Sequence, residues 1–375
     1  MANVKLSNVI RRAQTKVDKD DTDLVFYVGG EHIESENIRV HSRGIIVEST
    51  IGPMFYYGFK AGDFLLVSRN PHLKKAGLVD FDGICSEKTF VLETANSDVL
   101  LPEFLPFVLQ NERFWDYAYR HRHGSTNTFI NWSTLANYEF ELPDLETQRK
   151  LAEVLWSIND TMEAYKNLIS ATDELVKSQF MELFGDPVTN TQGREVRPFK
   201  DFMLDIRYGT SQPPTFSEFG EFKFIRATNI KAGRITENDM LRISADEATK
   251  IEKCRLNGNE IIIVRSGANT GDTCVVTDEY RDQYAGYDII ITLNLEIANP
   301  VFFNELMNTH YMQAIIKPLT VRAAQPHINS EQVQNLPMLV VPLPEQEQFA
   351  AFVRQSDKSK FAIQCCSNLN LWSSS

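Results

Sequence analysis

Apolar positions in the middle of the chain recur at alternating steps of four and three residues, which is the pattern of a helix with a heptad seam. Polar Thr172 and Gln179 continue the same register, and Gly185-Asp186-Pro187 is a helix stop. We therefore predict one helix from Thr147 to Phe184, roughly 55 Å long at about 1.5 Å per residue. The predicted seam residues of this helix are Leu151, Leu155, Ile158, Met162, Tyr165, Ile169, Val176 and Leu183.

Short apolar runs on either side of this helix predict β-strands. GDFLLVSR (Gly62 to Arg69) and GNEIIIVR (Gly258 to Arg265) are each entered by Gly and left through Arg, as a strand that feeds a loop would be. Helical stretches follow at Pro102 to Tyr119 and at Val301 to Ile316. Strands followed by helices in each half predict two α+β domains.

The two halves are related by an internal repeat. Sliding the chain by 198 residues places Ile130-Asn131 on Ile328-Asn329 and Gln148 on Gln346. Upstream the register slips by two residues, which sets the two Gly-entered strands opposite each other with their terminal arginines aligned. The chain is therefore interpreted as two copies of one unit.

The same offset predicts a second, shorter seam helix at the end of the chain. It begins with apolar Phe349 and Val353 and becomes polar from Ser356 and Lys360 onward. A solitary amphipathic helix would leave its apolar stripe in water, so we predict that the two helices pack antiparallel and hold the two domains apart. The alternative is an ordinary interdomain helix packed on one domain. The predicted bounds are 1–142 and 186–341 for the domains, 143–185 for the central helix and 342–375 for the C-terminal helix.

Composition and charge exclude some classes of protein. The chain has 375 residues, with 50 acidic against 38 basic side chains and a formal net charge of −12. The length favours two domains, and the charge argues against a protein that coats nucleic acid through bulk positive charge. No run approaches the roughly 20 consecutive apolar residues of a membrane span, and the N-terminal segment lacks an apolar signal core, so we expect a cytoplasmic protein.

Motifs for catalysis and for metal binding are missing. The sequence has no GxGxxG or GxxxxGK[ST] phosphate loop, no GxSxG elbow and no HExxH spacing. Glu221-Phe222-Lys223 has the spacing of a nuclease triplet, but no Pro-Asp pair precedes it in a suitable strand. The five cysteines include no CxxC pair. We therefore predict no catalytic residue and no metal ligand in this chain.

Polar loops at equivalent places in the two halves could contact DNA. Arg can bond guanine bidentately, Asn can bond adenine, and Ser or Thr can bond phosphates or bases. A solvated helix end is the alternative for the loop after the helix in half one. The candidates in half one are Arg69, Asn70, His72, Lys74, Lys75, Arg120, Arg122, Ser125, Thr126 and Asn127. The candidates in half two are Arg265, Ser266, Asn269, Thr270, Arg322, Gln325 and His327.

Several segments together resemble the specificity subunit of a type I restriction-modification system. The resemblance is carried by LPDLETQRKLAEVLWSIND (Leu142 to Asp160), its copy VPLPEQEQFAAFV (Val341 to Val353) and QFMELFGDPVTNTQG (Gln179 to Gly193). RYGTSQPPT (Arg207 to Thr215), FIRATNI (Phe224 to Ile230) and IIIVRSGANTGD (Ile261 to Asp272) resemble its target-recognition domain. Half one departs from the pattern, because Ser68-Arg69-Asn70-Pro71 replaces the Arg-Ser-Gly type of loop. The resemblance adds the DNA-binding candidates Tyr208, Thr210, Ser211, Arg226 and Asn229.

The resemblance implies a non-catalytic subunit with two target-recognition domains related by a pseudo-twofold axis, each reading one half of a split double-stranded DNA target. The helices would set the spacer length and dock two modification (methyltransferase) subunits, and restriction/translocase subunits would complete the complex. It implies no cofactor in this chain, with S-adenosylmethionine, ATP and Mg in the partner subunits. Two alternatives stay open: a stand-alone DNA-modifying enzyme with unrecognised motifs, and an acidic adaptor or decoy that binds a methyltransferase without reading DNA.

Overall fold

The computed structural model describes residues 2–186, 189–190, 192–320 and 326–367. The chain divides into two compact units, Met1–Ala164 and Tyr165–Ser375, and one long helix runs across the division. Both units mix helices with small sheets.

The first unit contains ten strands and the start of the long helix. Its strands are β1 (Ala2–Lys5), β2 (Ile10–Ala13), β3 (Phe26–Val28), β4 (Gly44–Ile45), β5 (Phe55–Phe59), β6 (Phe64–Val67), β7 (Ala76–Leu78), β8 (Gly83–Ser86), β9 (Thr89–Thr94) and β10 (Glu139–Leu142). Its helices are α1 (Leu6–Val9), α2 (Leu105–Leu109), α3 (Glu112–Arg120), α4 (Trp132–Leu135) and the long α5 (Leu145–Phe184).

The second unit follows the same plan. Its strands are β11 (Val196–Pro198), β12 (Met203–Tyr208), β13 (Phe222–Ile225), β14 (Ile230–Lys231), β15 (Arg234–Ile235), β16 (Leu241–Ile243), β17 (Ile261–Ile263), β18 (Thr273–Val275), β19 (Tyr284–Ala285), β20 (Ile289–Leu293) and β21 (Pro337–Leu339). Its helices are α6 (Ala245–Lys250), α7 (Pro300–Asn308), α8 (His310–Thr320), α9 (Ser330–Gln334) and α10 (Leu343–Ser367).

The two units share the topology of the central sheet, and their other sheets correspond in part. The central antiparallel sheet has the order β2-β9-β6-β7 in the first unit and β12-β20-β17-β18 in the second. A second sheet contains a parallel pair in both units, β3 with β8 and β13 with β19. A short antiparallel pair, β1 with β10 and β11 with β21, precedes each seam helix. The repeat predicted from the sequence is therefore a repeat of structure.

The central strands are apolar runs because both of their faces are buried. In β6, Phe64 and Leu66 pack into one apolar cluster, and Leu65 and Val67 pack into the cluster on the other side. In β17, Ile261 and Ile263 likewise lie in a different cluster from Ile262. Side chains alternate between the faces of a strand, so a sheet covered on both faces needs apolar residues at consecutive positions.

A buried glutamine holds the start of each seam helix in the same way. The Gln148 side chain accepts from Leu101 N at 2.9 Å and donates to Val99 O and Pro143 O, both at 2.8 Å. Gln346 accepts from Asn299 N at 2.8 Å and donates to the carbonyls of Ile297 and Val341 at 3.0 and 2.7 Å.

The long helix α5 starts two residues before the predicted Thr147 and ends at the predicted Phe184. Asp144 accepts hydrogen bonds from the backbone N–H and the hydroxyl of Thr147, at 2.8 and 3.1 Å, and these bonds lower the pKa of its carboxyl. At about 1.5 Å per residue, the 40 residues span about 60 Å.

The C-terminal half of α5 packs antiparallel to α10, as predicted. The Phe180 and Phe184 rings both lie 5.5 Å from the ring of Phe349 near the start of α10, whereas Asp173, earlier on α5, pairs with Lys360 further along α10. Residue numbers thus rise along one helix as they fall along the other. Lys360 is almost fully buried and also lies 3.5 Å from Asp357.

The heptad pattern misplaces the two ends of the seam. Leu183 is exposed and Phe184 is buried, so the buried positions at this end of the helix are Val176, Phe180 and Phe184, in two steps of four rather than the alternating four and three of the heptad. Leu151 is also exposed.

The first turns of α5 pack on the core of the first unit through Ala152, Leu155 and Trp156. The remaining predicted seam residues, Ile158, Met162, Tyr165 and Ile169, are half-buried, whereas Val353 on α10 is buried.

An arginine ties the sheets of each unit to its seam helix. In the first unit, Arg39 Nη1 lies 2.7 Å from Asp160 Oδ1 and 2.8 Å from Glu163 Oε2, and its guanidinium lies over the Trp156 ring. In the second unit, Arg234 pairs with Asp357 on α10. Each set of loops is thus attached to a helix by a side-chain contact.

Candidate nucleic-acid interface

In the second unit, backbone hydrogen bonds join the loop after β17 to the segment before α9. Ile328 N donates to Arg265 O at 2.9 Å, and Gly267 N donates to Pro326 O at 3.3 Å. Ser266 and His327 form the β-bridge between these two bonds. Candidates that are far apart in sequence are therefore adjacent in the fold.

The first unit makes the equivalent bonds. Ile130 N donates to Ser68 O at 2.9 Å and Asn70 N donates to Thr128 O at 2.7 Å, with Arg69 and Phe129 as the bridge between them. Both units thus place the same pair of loops side by side at the end of the same central strand.

The equivalent backbone hydrogen bonds of the two units show that Arg69 and Arg265 do not align with each other. Arg265 occupies the place of Ser68, 197 residues earlier, and Arg69 occupies the place of Ser266. The sequence alignment paired Arg69 with Arg265 by residue type, one position away from the register that the hydrogen bonds define. A shift of one residue turns a strand side chain to the opposite face, so the two arginines are not counterparts.

Arg265 is surrounded by aromatic rings. Its guanidinium carbon lies 4.5 Å from the ring centre of Tyr208 and 4.3 Å from that of Tyr287. Its Nε donates to His327 Nε2 at 3.0 Å. Tyr208 and Tyr287 are 36% and 42% exposed, so this cluster lies at the surface of the unit. The Tyr208 hydroxyl accepts from Ser330 N at 2.9 Å, which attaches the ring to the start of α9.

Asp288 supports the backbone of this cluster from below the surface. Its carboxylate accepts from Arg265 N at 3.1 Å, and its carbonyl accepts from Gly209 N at 2.9 Å. The side chain is buried, and burial raises the pKa of its carboxyl to about 6 against the opposing effect of the Arg265 N–H and charge. Asp288 therefore fixes the end of β17 relative to the end of β12.

Two predicted DNA contacts in the second unit are buried instead. Asn229 is fully buried, accepts from Arg226 N at 3.1 Å and donates to Asn238 O at 2.9 Å. The hydroxyl of buried Thr270 donates to Gly267 O at 2.7 Å. Asn and Ser or Thr satisfy loop backbones as readily as they contact bases, so these two residues shape their loops.

The other candidates of the second unit that lie among the described residues are at least partly exposed. Arg226 donates through Nη2 to Asp239 O at 2.6 Å, while its Nε is buried without a hydrogen-bond partner among the residues described. Thr210 bonds within its own turn to Gln212, and the Asn269 amide lies 3.4 Å from Ala227 O. Ser211 is exposed. Arg322 and Gln325 lie outside the described residues.

In the first unit, a hairpin presents the polar tip of the loop after α3. His123 and Phe129 exchange backbone hydrogen bonds at 2.7 and 2.9 Å, and Gly124 makes the turn with φ of +86°. A side chain at Gly124 would meet Asn127 O at 2.9 Å, so the turn needs glycine. The exposed tip residues are Ser125, Thr126 and Asn127.

Cations and rings lie beside this hairpin. The Arg122 guanidinium lies 3.7 Å from the centre of the Tyr119 ring and donates to Tyr119 O at 2.7 Å. His72, from the loop after β6, lies 6.5 Å from the same ring. Arg69 and Arg120 are exposed. The two predicted loops of the first unit therefore form one surface.

The lysines of the loop after β6 are already paired within the protein. Lys74 Nζ lies 2.9 Å from Glu36 and 2.7 Å from Glu112. Burial works to lower the pKa of Lys74, but the two carboxylates outweigh burial and raise it. Lys75 Nζ donates to Gly30 O at 2.6 Å. These contacts hold the loop, and the carboxylates of Glu36 and Glu112 offset the positive charge that Lys74 would otherwise present to a phosphate.

Sequence reasoning missed Tyr287, Asp288 and Tyr119 as parts of these surfaces. No motif marks them. Gly286-Tyr287-Asp288 directly precedes the apolar run of β20, and only the strand order places that run beside β17. Tyr119 lies near the end of α3, where its position in the sequence indicates only a helical residue.

Other kinds of site were sought in the described part of the chain. It has no group of three or more His, Cys, Asp or Glu side chains that could hold a metal ion. Cys85, Cys254 and Cys274 are buried thiols whose pKa values burial raises. No helix there is long and apolar enough to cross a membrane.

Comparison with known proteins identifies the family. A family model described as type I restriction modification DNA specificity domain matches residues 9–171 and 196–365. The specificity subunit of the type I restriction enzyme HindI from Haemophilus influenzae is 26% identical over 132 residues, covering 34% of this chain and 28% of that protein. The match thus spans little more than a quarter of the relative's length.

A type I restriction-modification S subunit from M. genitalium shares the fold, with a TM-score of 0.59 and 14% identity over 98% of this chain and 91% of that one. The predicted fold of two α+β domains with a long central helix is therefore confirmed. Because the family model matches most of its length, the chain belongs to the family of type I restriction modification DNA specificity domains.

Proposed function

We propose that this chain is the sequence-recognition subunit of a type I restriction-modification complex and that each unit reads one half of a bipartite DNA target. The observation that carries the proposal is the duplicated surface. In both units the same backbone hydrogen bonds join a strand-end loop to a second polar loop. A duplicated reading surface suits a target with two specified halves.

The charge of the chain supports a role that needs partners. A net charge of −12 and the pairing of Lys74 with two carboxylates weaken the attraction of the chain for DNA phosphates. Modification and restriction subunits would supply the remaining contacts to the DNA backbone. The chain itself would choose the sequence and carry out no chemistry.

Docking of the modification subunits on the seam helices is part of the same proposal. Leu168 and Leu175, seven residues apart on α5, are about half exposed. Exposed leucines at heptad spacing on a helix that packs through its other face are typical of a protein contact. S-adenosylmethionine, ATP and Mg would be bound by the partner subunits.

Methylation mapping tests this proposal. The chain is co-expressed with its modification subunits, and the host DNA is sequenced with a long-read method that detects methyladenine. The expected result is methylation within one asymmetric two-part sequence that disappears when this gene is deleted. Methylation or cleavage by the purified chain alone would instead identify a stand-alone enzyme. A stable complex that shifts no specific DNA sequence would identify an adaptor.

A further inference from the structure

We infer that Arg265 reads a guanine in the half-site of the second unit and that Tyr208 and Tyr287 are the positioning residues that hold it. The inference rests on the proposed function, because it requires that this unit contact DNA. It assigns a base to a residue and gives a role to Tyr287.

The surroundings of Arg265 hold its guanidinium in place. Two tyrosine rings lie 4.5 and 4.3 Å from its central carbon, and His327 accepts from its Nε at 3.0 Å. The strand end below it is held by the hydrogen bond from Arg265 N to Asp288. A side chain that is already ordered loses little conformational freedom when it binds, so its contacts are selective.

In the described part of the chain, the two terminal nitrogens of the Arg265 guanidinium have no protein partner. Within residues 2–186, 189–190, 192–320 and 326–367, Nη1 and Nη2 of Arg265 make no hydrogen bond, and no carboxylate forms an ion pair with the side chain. These two nitrogens are parallel donors, the geometry that matches N7 and O6 on the major-groove edge of guanine. Because Nε already donates to His327, Arg265 would bind guanine through Nη1 and Nη2 together.

Arg207, in the same unit, is an arginine with a purely structural role and provides a comparison. Arg207 donates through both terminal nitrogens to buried Glu260, at 2.7 and 2.9 Å. Its fork is therefore filled by a carboxylate of the protein. Among the described residues nothing fills the same fork of Arg265, which lies beside two half-exposed rings and so suits a ligand that offers two acceptors.

The test compares variants of the full chain in complex with its modification subunits. Methylation is measured on a DNA library in which each base pair of both half-sites is randomised in turn. Arg265→Lys keeps the charge but loses the planar fork. We expect it to reduce discrimination at one G·C pair by about 10- to 100-fold while the other half-site is read as before.

The tyrosines are tested by two substitutions of different severity. Tyr287→Phe keeps the ring and should leave the discrimination near that of the wild type. Tyr287→Leu removes the ring and should reduce discrimination at the same base pair as Arg265→Lys. Arg281→Lys is the matched control, because Arg281 belongs to the same unit and pairs with Asp278 at 2.7 Å. Gel filtration of each complex confirms that the variants assemble.

The outcomes distinguish a failure of the Arg265 assignment from a failure of the proposed function. If Arg265→Lys weakens methylation of every sequence equally, Arg265 contacts a phosphate and the inference is wrong. It is also wrong if the specificity is unchanged or if the affected base pair is A·T. In these cases the bipartite motif of the wild type still supports the proposed function. A wild-type complex without any bipartite motif overturns both.

Discussion

Two buried carboxylates of the second unit have opposite electrostatic surroundings. Burial works to raise the pKa of Glu260, but bonds from both terminal nitrogens of Arg207 and from Asn257 N outweigh it, so the pKa is lowered. Among the described residues, the Asp288 carboxylate accepts one backbone N–H, that of Arg265, and burial raises its pKa to about 6. The two groups should therefore affect stability in opposite directions as the pH changes.

Glu260→Gln is expected to destabilise the second unit. The substitution leaves Arg207 with only the more distant carboxylate of Asp205, at 3.9 Å, among the described residues, and the loss should be about 3 kcal/mol at neutral pH, since Arg207 is partly exposed. Because the folded pKa of Glu260 is lowered, its stabilising effect is present above the ordinary pKa of 4.5 and is lost as the pH falls through the folded value. Urea unfolding at pH 7 and at pH 4 measures the difference, with exposed Glu296→Gln as the control. An equal effect at both pH values would contradict the assignment.

Asp288→Asn is expected to stabilise the chain at neutral pH. The folded carboxyl has a raised pKa, so its ionisation opposes folding, and the stability of the wild type falls as the pH rises between about 4 and 6. The amide oxygen of Asn can still accept from Arg265 N. The melting temperature of the variant should exceed that of the wild type at pH 7.5 and match it at pH 4. A lower melting temperature at pH 7.5 would show that the carboxylate charge itself is required.

At the scale of elements, α5 and the central strands could be predicted because their signals are local. A heptad pattern ended by Gly185 marks the helix, and apolar residues at consecutive positions mark strands buried on both faces. The register of the repeat could not be read to one residue, since it depends on which backbone groups pair across a sheet. The stacking of Tyr287 on Arg265 depends on strand order, which no local pattern encodes. Asn229 is predicted as a DNA contact through the resemblance of its segment to the family, and its burial could not be foreseen because an asparagine suits both a base contact and a loop cap.

Because Phe184 and not Leu183 lies in the buried seam, alanine substitutions at these two positions should differ strongly in how much unfolding free energy they cost. Phe184→Ala removes a buried ring that lies within 5.5 Å of Phe180, Phe302 and Phe349, and should cost about 3 to 5 kcal/mol of unfolding free energy. Leu183→Ala removes an exposed side chain and should cost less than about 1 kcal/mol. Chemical denaturation of both variants measures the two values. If Leu183→Ala lost more unfolding free energy than Phe184→Ala, Leu183 would be the buried seam residue, as the heptad pattern predicts.

At the scale of the whole molecule, an acidic chain is proposed to choose a DNA sequence while its partners hold the DNA backbone. The purified chain alone should therefore bind DNA weakly at about 0.15 M salt, whereas the complex with modification subunits should bind with high specificity. Titration of labelled DNA with the chain and with the complex, at two salt concentrations, measures this. Tight sequence-specific binding by the chain alone would contradict the proposal that partner subunits hold the DNA backbone.

The central claim is that each unit reads its own half of the target. The most direct measurement maps methyladenine in hosts that carry the wild type, a first-unit variant with Ser125, Thr126 and Asn127 changed to Ala, or Arg265→Lys in the second unit. The account predicts that the first variant relaxes positions in one half-site only and the second variant relaxes a position in the other. Changes spread over both halves, or a motif that does not depend on this chain, would contradict it.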